Sequence, residues 1–166
     1  MKKTQTLFLA GILCILALVS MVLALVFGRT HTQSSSFTPP PFDSSAESGT
    51  PAVPEELGWT EIYQDGMAFK CSICGNVIAS GGAADVYFTN SSEQEVWLKL
   101  RVLDEDGNII GETGLIKPGE YVKSVSIDKD ISDGSSIKLK IMAYEPQTYY
   151  SAGAVTLNTQ IRKEAA

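Results

Sequence analysis

The residues with the clearest potential chemistry are Cys71 and Cys74, two thiols in the run CSICG. With two residues between them, a pair of thiolates can bind one side of a zinc ion. Structural zinc takes four ligands, however, and the chain has no second pair of this kind. Its single histidine, His31, lies in a distant Ser- and Pro-rich stretch. Zinc binding at the motif would therefore require a second chain.

A redox role is the other chemistry open to Cys71 and Cys74. A thioredoxin-type pair needs the motif at a helix N-terminus within a βαβ unit, whereas the surrounding KCSICGNVIASGGAA indicates a strand and a glycine loop. Outside the membrane we expect a local disulfide or two free thiols. The sequence contains no Gly-x-Ser-x-Gly and no phosphate-cradling glycine loop. We expect no catalytic residues, no cofactor and no enzymatic activity.

Aromatic side chains form the second candidate site. Trp97, Tyr144, Tyr149 and Tyr150 fall on or beside predicted strands. Tyr and Trp on a rigid scaffold are frequent anchors of protein or carbohydrate contacts. Two orientations remain open for Trp97, because it either joins this contact surface or faces the interior.

Strands are the elements that must position these residues. Apolar side chains alternate with polar ones from 96 to 102, and the pattern returns near 121–127, 137–143 and 155–161. Asp106-Gly107 and Pro118-Gly119 supply turns between them. About seven short strands in roughly 105 residues, without a helical period, predict an all-β fold of the antiparallel, immunoglobulin-like β-sandwich type.

The N-terminal run Leu7–Phe27 contains 21 residues and no charged side chain. As a helix it would extend about 32 Å, enough to cross a hydrocarbon core of about 30 Å. Lys2 and Lys3 precede the run, which predicts a cytoplasmic N-terminus and an extracellular C-terminal part. A cleaved signal peptide is the competing interpretation, although the run is longer than the usual apolar region of one.

These signals divide the chain into consecutive segments. We predict a cytoplasmic tail at 1–6, a transmembrane anchor at 7–27, a disordered Ser/Pro-rich tether at 28–58, an extracytoplasmic β-sandwich at 59–162 and a tail at 163–166. The net charge of −6 disfavours binding to nucleic acid.

The chain resembles small, single-pass, extracytoplasmic proteins of Gram-positive bacteria over about residues 59–162, most clearly from 87 to 127. The resemblance is carried by the D-G hairpin at 106–107, the run GLIKPG at 114–119, the late Tyr144 and the small residues at 152–154. It implies a membrane-anchored immunoglobulin-like β-sandwich, and some members are associated with conjugative elements. It implies no catalytic residues, and the two cysteines are not part of the shared pattern.

The sequence therefore predicts a non-enzymatic, membrane-anchored binding module. It would meet a protein partner at the cell surface, within an envelope or conjugation-associated assembly. One alternative is an extracytoplasmic thiol–disulfide or metal-linked protein that acts through Cys71 and Cys74. A second alternative is a carbohydrate-binding module that uses Trp97 and the tyrosines.

Overall fold

The structure, a computed structural model, describes residues 37–63, 65–127 and 131–163. These residues contain ten strands, a 3₁₀ turn at Glu55–Leu57 and no α-helix, so the all-β prediction is confirmed. The strands are β1 Glu47–Ser48, β2 Trp59–Ile62, β3 Cys71–Cys74, β4 Val77–Ser80, β5 Ala83–Asn90, β6 Trp97–Leu103, β7 Ile109–Glu112, β8 Glu120–Ser126, β9 Ser136–Tyr144 and β10 Ser151–Lys163.

The predicted membrane anchor at 7–27 lies outside the described residues. Within the described ranges, no helix is long and apolar enough to cross a membrane.

The strands pair in the order β1-β8-β5-β4-β10-β9-β6-β7, and β3 pairs with both β5 and β2. The strand pairs are antiparallel except β4–β10, where Val77 to Ala79 runs parallel to Ile161 to Lys163. This parallel pair departs from the wholly antiparallel prediction. It arises because β10 pairs with β9 along most of its length and reaches β4 only with its last residues.

The sheet curls so that strands distant in the pairing order approach each other. A Cβ atom added at Gly111 in β7 would lie 2.5 Å from the carbonyl oxygen of Ser126 in β8. Since real Cβ atoms do not tolerate such a contact, glycine is required for the close approach of these two strands. The curled sheet thereby surrounds one apolar core.

The alternation read from the sequence determines which side chains enter that core. Leu98, Leu100 and Val102 on β6 are fully buried, and Leu139 and Ile141 on β9 are at most 1% exposed. A strand directs every second side chain to the same face, so each of these strands supplies one apolar row. Ile137 belongs to the same row of β9, and further core residues come from the remaining strands: Ile73, Val77, Ala84, Val86, Phe88, Val122, Val125 and Ile161.

Residues before position 58, within the predicted tether, also contact the sheet. The compact unit begins at Pro39, β1 pairs with β8, and the Tyr121 hydroxyl donates a 2.6 Å hydrogen bond to the Glu47 carboxylate. Leu57 is buried against Cys74. Composition alone suggested disorder in this stretch, but a few hydrogen-bonded and apolar side chains fix it to the sheet.

Candidate functional site

Cys71 and Cys74 lie at the two ends of β3 and contact different groups of side chains. Cys71 belongs to the main core with Ile73, whereas Cys74 packs with Leu57 and Tyr87 in a separate cluster. Residues three apart in a strand point to opposite faces, which accounts for this separation. Both cysteines are free and buried. The structure therefore does not bring the two thiols together as a disulfide or a shared metal site.

Burial also alters the acid–base chemistry of both thiols. Desolvation, reinforced by the negative charge of Glu61, raises the pKa of Cys71 to about 12. Desolvation and the charge of Asp85 raise the pKa of Cys74 to about 12 as well. A thiol must lose its proton to act as a nucleophile or a zinc ligand, so both side chains are unreactive at neutral pH. They behave as small apolar core residues.

Among the described residues, no group of three or more His, Cys, Asp or Glu side chains is arranged to hold a metal ion. Three aromatic rings, by contrast, are brought together: those of Phe42 and Tyr149 both meet the ring of Trp97. We use the name aromatic platform for these three residues together with Tyr144, which pairs with Trp97 across the strands, and Tyr150, which follows Tyr149 in the chain.

Trp97 is at the centre of the aromatic platform. Its ring meets Phe42 edge to face, with centroids 4.8 Å apart at 75°. It meets Tyr149 in the same way, at 5.2 Å and 62°. Tyr144 is its direct partner across the β6–β9 pair, and Tyr150 is 71% exposed. Of the two orientations left open for Trp97, the structure shows the one that faces away from the core, opposite the buried Leu98 and Leu100.

The loop between β9 and β10 holds Tyr149 against Trp97. Its ends are closed by hydrogen bonds from Glu145 N to Tyr150 O at 2.8 Å and from Tyr149 N to Glu145 O at 3.0 Å. Gln147 and Tyr149 have positive φ angles of 65° and 58°. Such a conformation costs a residue with a Cβ atom about 1–2 kcal/mol. Strain of this kind concentrates where a side chain must be presented in one orientation.

Phe42 reaches the aromatic platform through a backbone contact that composition did not reveal. It forms a parallel bridge with Leu115. Leu115 N donates to Pro41 O and Asp43 N donates to Leu115 O, both at 2.9 Å. The Lys117 ammonium lies 4.8 Å from the centre of the Phe42 ring, a cation–π geometry. No periodic signal in the sequence surrounds Phe42, which therefore falls within the predicted tether at 28–58.

A row of basic side chains continues the same sheet face away from Trp97. Lys99 and Arg101 follow Trp97 at alternate positions of β6, and Lys140 and Lys138 follow Tyr144 along β9. Glu112 is the acidic partner, bonded at 2.9 Å to both Lys99 and Arg101. This face is therefore locally basic on a chain whose net charge is −6.

Glu112 is held ionised by its two partners. Partial burial, the largest influence, raises the pKa of Glu112, but hydrogen bonds and charges from Lys99 and Arg101 bring it below the ordinary value. The Lys99 side chain is only 7% exposed. A buried ammonium of this kind depends on its carboxylate, since an unpaired buried charge is costly.

Comparisons with known proteins add little to this geometry. No family model matches the chain, and no curated protein matches it. Among solved structures, CopC from Methylosinus trichosporium OB3b is similar at 15% identity, with a TM-score of 0.35, over 55% of this chain and 85% of that one. At this level of similarity neither the detailed fold nor a function transfers.

Proposed function

We propose that the chain is a non-enzymatic, extracytoplasmic binding module that docks a protein partner through the aromatic platform. The supporting observation is that Trp97 is held between Phe42 and Tyr149, which come from distant parts of the chain. Two strained backbone positions in the β9–β10 loop support the same proposal, because strain is retained where geometry matters. Tyr150 and Phe42, 71% and 41% exposed, provide the accessible aromatic area.

The chemistry of the partner follows from the neighbouring charges. Lys99, Arg101, Lys138 and Lys140 share the face with Trp97; Lys99 is buried against Glu112, so Arg101, Lys138 and Lys140 are the cations that a partner could reach. A segment with one apolar anchor and adjacent carboxylates complements this arrangement, because electrostatic complementarity directs the partner's orientation. The partner we propose is thus an acidic protein segment.

Carbohydrate binding is less well supported by the geometry. A sugar ring stacks on an open aromatic face, whereas Trp97 receives two other rings edge to face at 75° and 62°. The rings therefore do not form a flat, open stacking surface. The thiol alternative is also disfavoured, because Cys71 and Cys74 are buried in separate clusters.

The wider architecture is part of the proposal. The anchor at 7–27 would hold the head outside the cell membrane, with an immunoglobulin-like sandwich as the arrangement of the curled sheet. Protease added to intact cells should degrade the C-terminal head, and fractionation should recover the intact chain with membranes. Recovery of the chain in the cytosol would reject this placement.

The experiment that tests the docking proposal is photo-crosslinking in intact cells. A photoreactive side chain replaces Tyr150 in one variant and Tyr63 in a matched control. Tyr63 is 48% exposed and lies beside Lys70 rather than on the platform. We expect a discrete protein adduct from position 150 and none from position 63, and loss of the adduct in Trp97→Ala. Equal adducts from both positions, no adduct from position 150, or a glycan adduct would overturn the proposal.

A further inference from the structure

One side of β10 is unpaired along most of the strand. Residues Ser151 to Gln160 pair antiparallel with β9. On the opposite side, β4 pairs only with Ile161 to Lys163. Within 37–63, 65–127 and 131–163, no strand pairs with that side between 151 and 160. Apart from the Thr159 hydroxyl, which donates to Gly75 O at 2.7 Å, this ten-residue edge has no strand partner among the described residues.

The direction of the backbone groups on this edge follows from one end of β10. Ile161 N donates to Ser135 O, and Ile161 O accepts from Gly134 N, both at 2.9 Å on the β9 side. Backbone groups alternate between the two sides of a strand. The N–H and C=O groups of Ala154, Thr156 and Asn158 consequently point to the open side.

This edge lacks the features that usually prevent an edge strand from pairing with another chain. Natural edge strands are shortened, charged or interrupted by proline. The edge strand β1 has two residues, and β2 has four and carries Glu61. The stretch 151–160, SAGAVTLNTQ, has neither a charged residue nor a proline. An open, uncharged edge of this length is a template for pairing with another strand.

We propose that β10 pairs antiparallel with β10 of a second copy of this chain, around a two-fold axis at Thr156. The residues that exchange hydrogen bonds must be those that point outward, which restricts the register to Ala154, Thr156 and Asn158, and the axis is placed at the middle one of the three. Thr156 then faces Thr156 of the second copy, and Ala154 faces Asn158. This pairing would form about six hydrogen bonds.

The side chains of β10 are self-complementary in this register. Val155 and Leu157 are only partly buried although they pack against the main core. They occupy the positions between the hydrogen-bonded pairs, so Val155 of one copy lies opposite Leu157 of the other. The two copies would extend each other's apolar face. On the exposed face, a Thr–Thr pair is a favourable cross-strand contact.

Charge is compatible with a second copy as the occupant. The nearest charged neighbour of Thr156 on β9 is Lys140. Across the axis, the two Lys140 side chains would be about three strand spacings apart, or about 14 Å. At that distance exposed charges are largely screened at physiological ionic strength. The interface is a single strand pair, so affinity in dilute solution is low and confinement of both copies to one membrane would increase it.

Cysteine crosslinking tests the register in the full chain, in a Cys14→Ser background so that only the buried Cys71 and Cys74 remain. The Thr156→Cys variant should form a disulfide-linked dimer on mild oxidation, since paired Cα atoms lie about 5.5 Å apart. The Asn158→Cys variant is the matched control, because its two cysteines would be about 14 Å apart. Mixed Ala154→Cys and Asn158→Cys chains should form the mixed dimer.

A charge at the axis tests the same pairing with the cysteines at 154 and 158 instead of 156. Adding Thr156→Lys to both the Ala154→Cys and the Asn158→Cys chains places two ammonium groups opposite each other. It should lower the yield of the mixed dimer at least about tenfold. Thr60→Lys on β2 should leave the yield unchanged. Equal crosslinking at 156 and 158, no dimer from Thr156→Cys, an insensitive yield in Thr156→Lys, or capture of a different protein by the cysteine at 156 would overturn the proposal.

Discussion

The carboxylate of Asp43 accepts a 2.7 Å hydrogen bond from the backbone N–H of Gly114, 71 residues further along the chain. It also accepts from the backbone and hydroxyl of Ser45, at 2.9 and 2.6 Å. A Cβ atom at Gly114 would lie 2.5 Å from Asp43 N, so only glycine allows the contact. Together with the backbone hydrogen bonds to Leu115, this carboxylate holds the segment that brings Phe42 to Trp97.

Removing that carboxylate should release the segment. We expect Asp43→Ala to lower the free energy of unfolding by about 1–3 kcal/mol, because several partners lose a charged acceptor. Ser45→Ala removes one of the bonds and should cost about 1 kcal/mol or less. Urea denaturation measures both effects, and hydrogen exchange at residues 41–48 should accelerate in Asp43→Ala. Unchanged exchange there would contradict this role.

Acid should destabilise the chain partly through the same residue. Partial burial, the largest influence, raises the pKa of Asp43, but hydrogen bonds from Ser45 and Gly114 bring it below its ordinary value of 3.8. The native state therefore holds the proton less tightly than the unfolded state. The stabilising effect of the ionised Asp43 carboxylate is present above about pH 4 and is lost as the pH falls through the lowered pKa of the native state. Unfolding midpoints between pH 2 and 5 should vary less in Asp43→Asn than in the natural sequence.

Replacing Lys99 and replacing Glu112 should have unequal effects on the free energy of unfolding, although the two residues form one ion pair. Glu112→Ala leaves the buried Lys99 ammonium without its carboxylate and should cost about 2 kcal/mol or more. Lys99→Met replaces the buried charge by an apolar side chain and should be close to neutral or stabilising. Denaturation midpoints of the two variants measure the difference. A larger loss in Lys99→Met than in Glu112→Ala would be inconsistent with the burial described.

Glycine at position 147 should stabilise the β9–β10 loop. Gln147 is exposed and has a φ angle of 65°, which glycine adopts without steric cost. We expect Gln147→Gly to raise the free energy of unfolding by up to about 1 kcal/mol. Tyr149→Gly relieves similar backbone strain but loses the ring contact with Trp97, so its net effect should be smaller or destabilising. Thermal unfolding of both variants separates strain from packing.

The buried thiols should make the chain sensitive to alkali. Their pKa values rise from 9.0 to about 12, so above about pH 9 the unfolded state loses protons that the native state keeps. Stability should therefore fall between about pH 9 and 12, by up to about 1.4 kcal/mol per pH unit for each thiol. The double variant Cys71→Ala/Cys74→Ala should show a shallower decline in urea unfolding. An identical decline would show that other groups are responsible.

The sequence was sufficient to predict about seven of the ten strands in the described residues, but not every contact between them. The alternation of apolar and polar residues identified the core rows of β6 and β9, because every second side chain of a half-buried strand is apolar. The separation of Cys71 and Cys74 follows from the same rule once β3 is known to be a strand. Phe42 could not be found in this way, since its position depends on Asp43 contacting Gly114 far along the chain. The unpaired side of β10 likewise depends on which strands become neighbours.

The position of β10 between β4 and β9 also bears on how the chain reaches its native state. Thr159 donates to the carbonyl of Gly75, 84 residues earlier, and Ile161 beside it is fully buried. Loop closure over such distances is slow, so we expect folding on the millisecond-to-second timescale. Ribosomes release the N-terminal strands first. Until β10 arrives, β4 has β5 but not its second neighbour, and the core lacks Ile161.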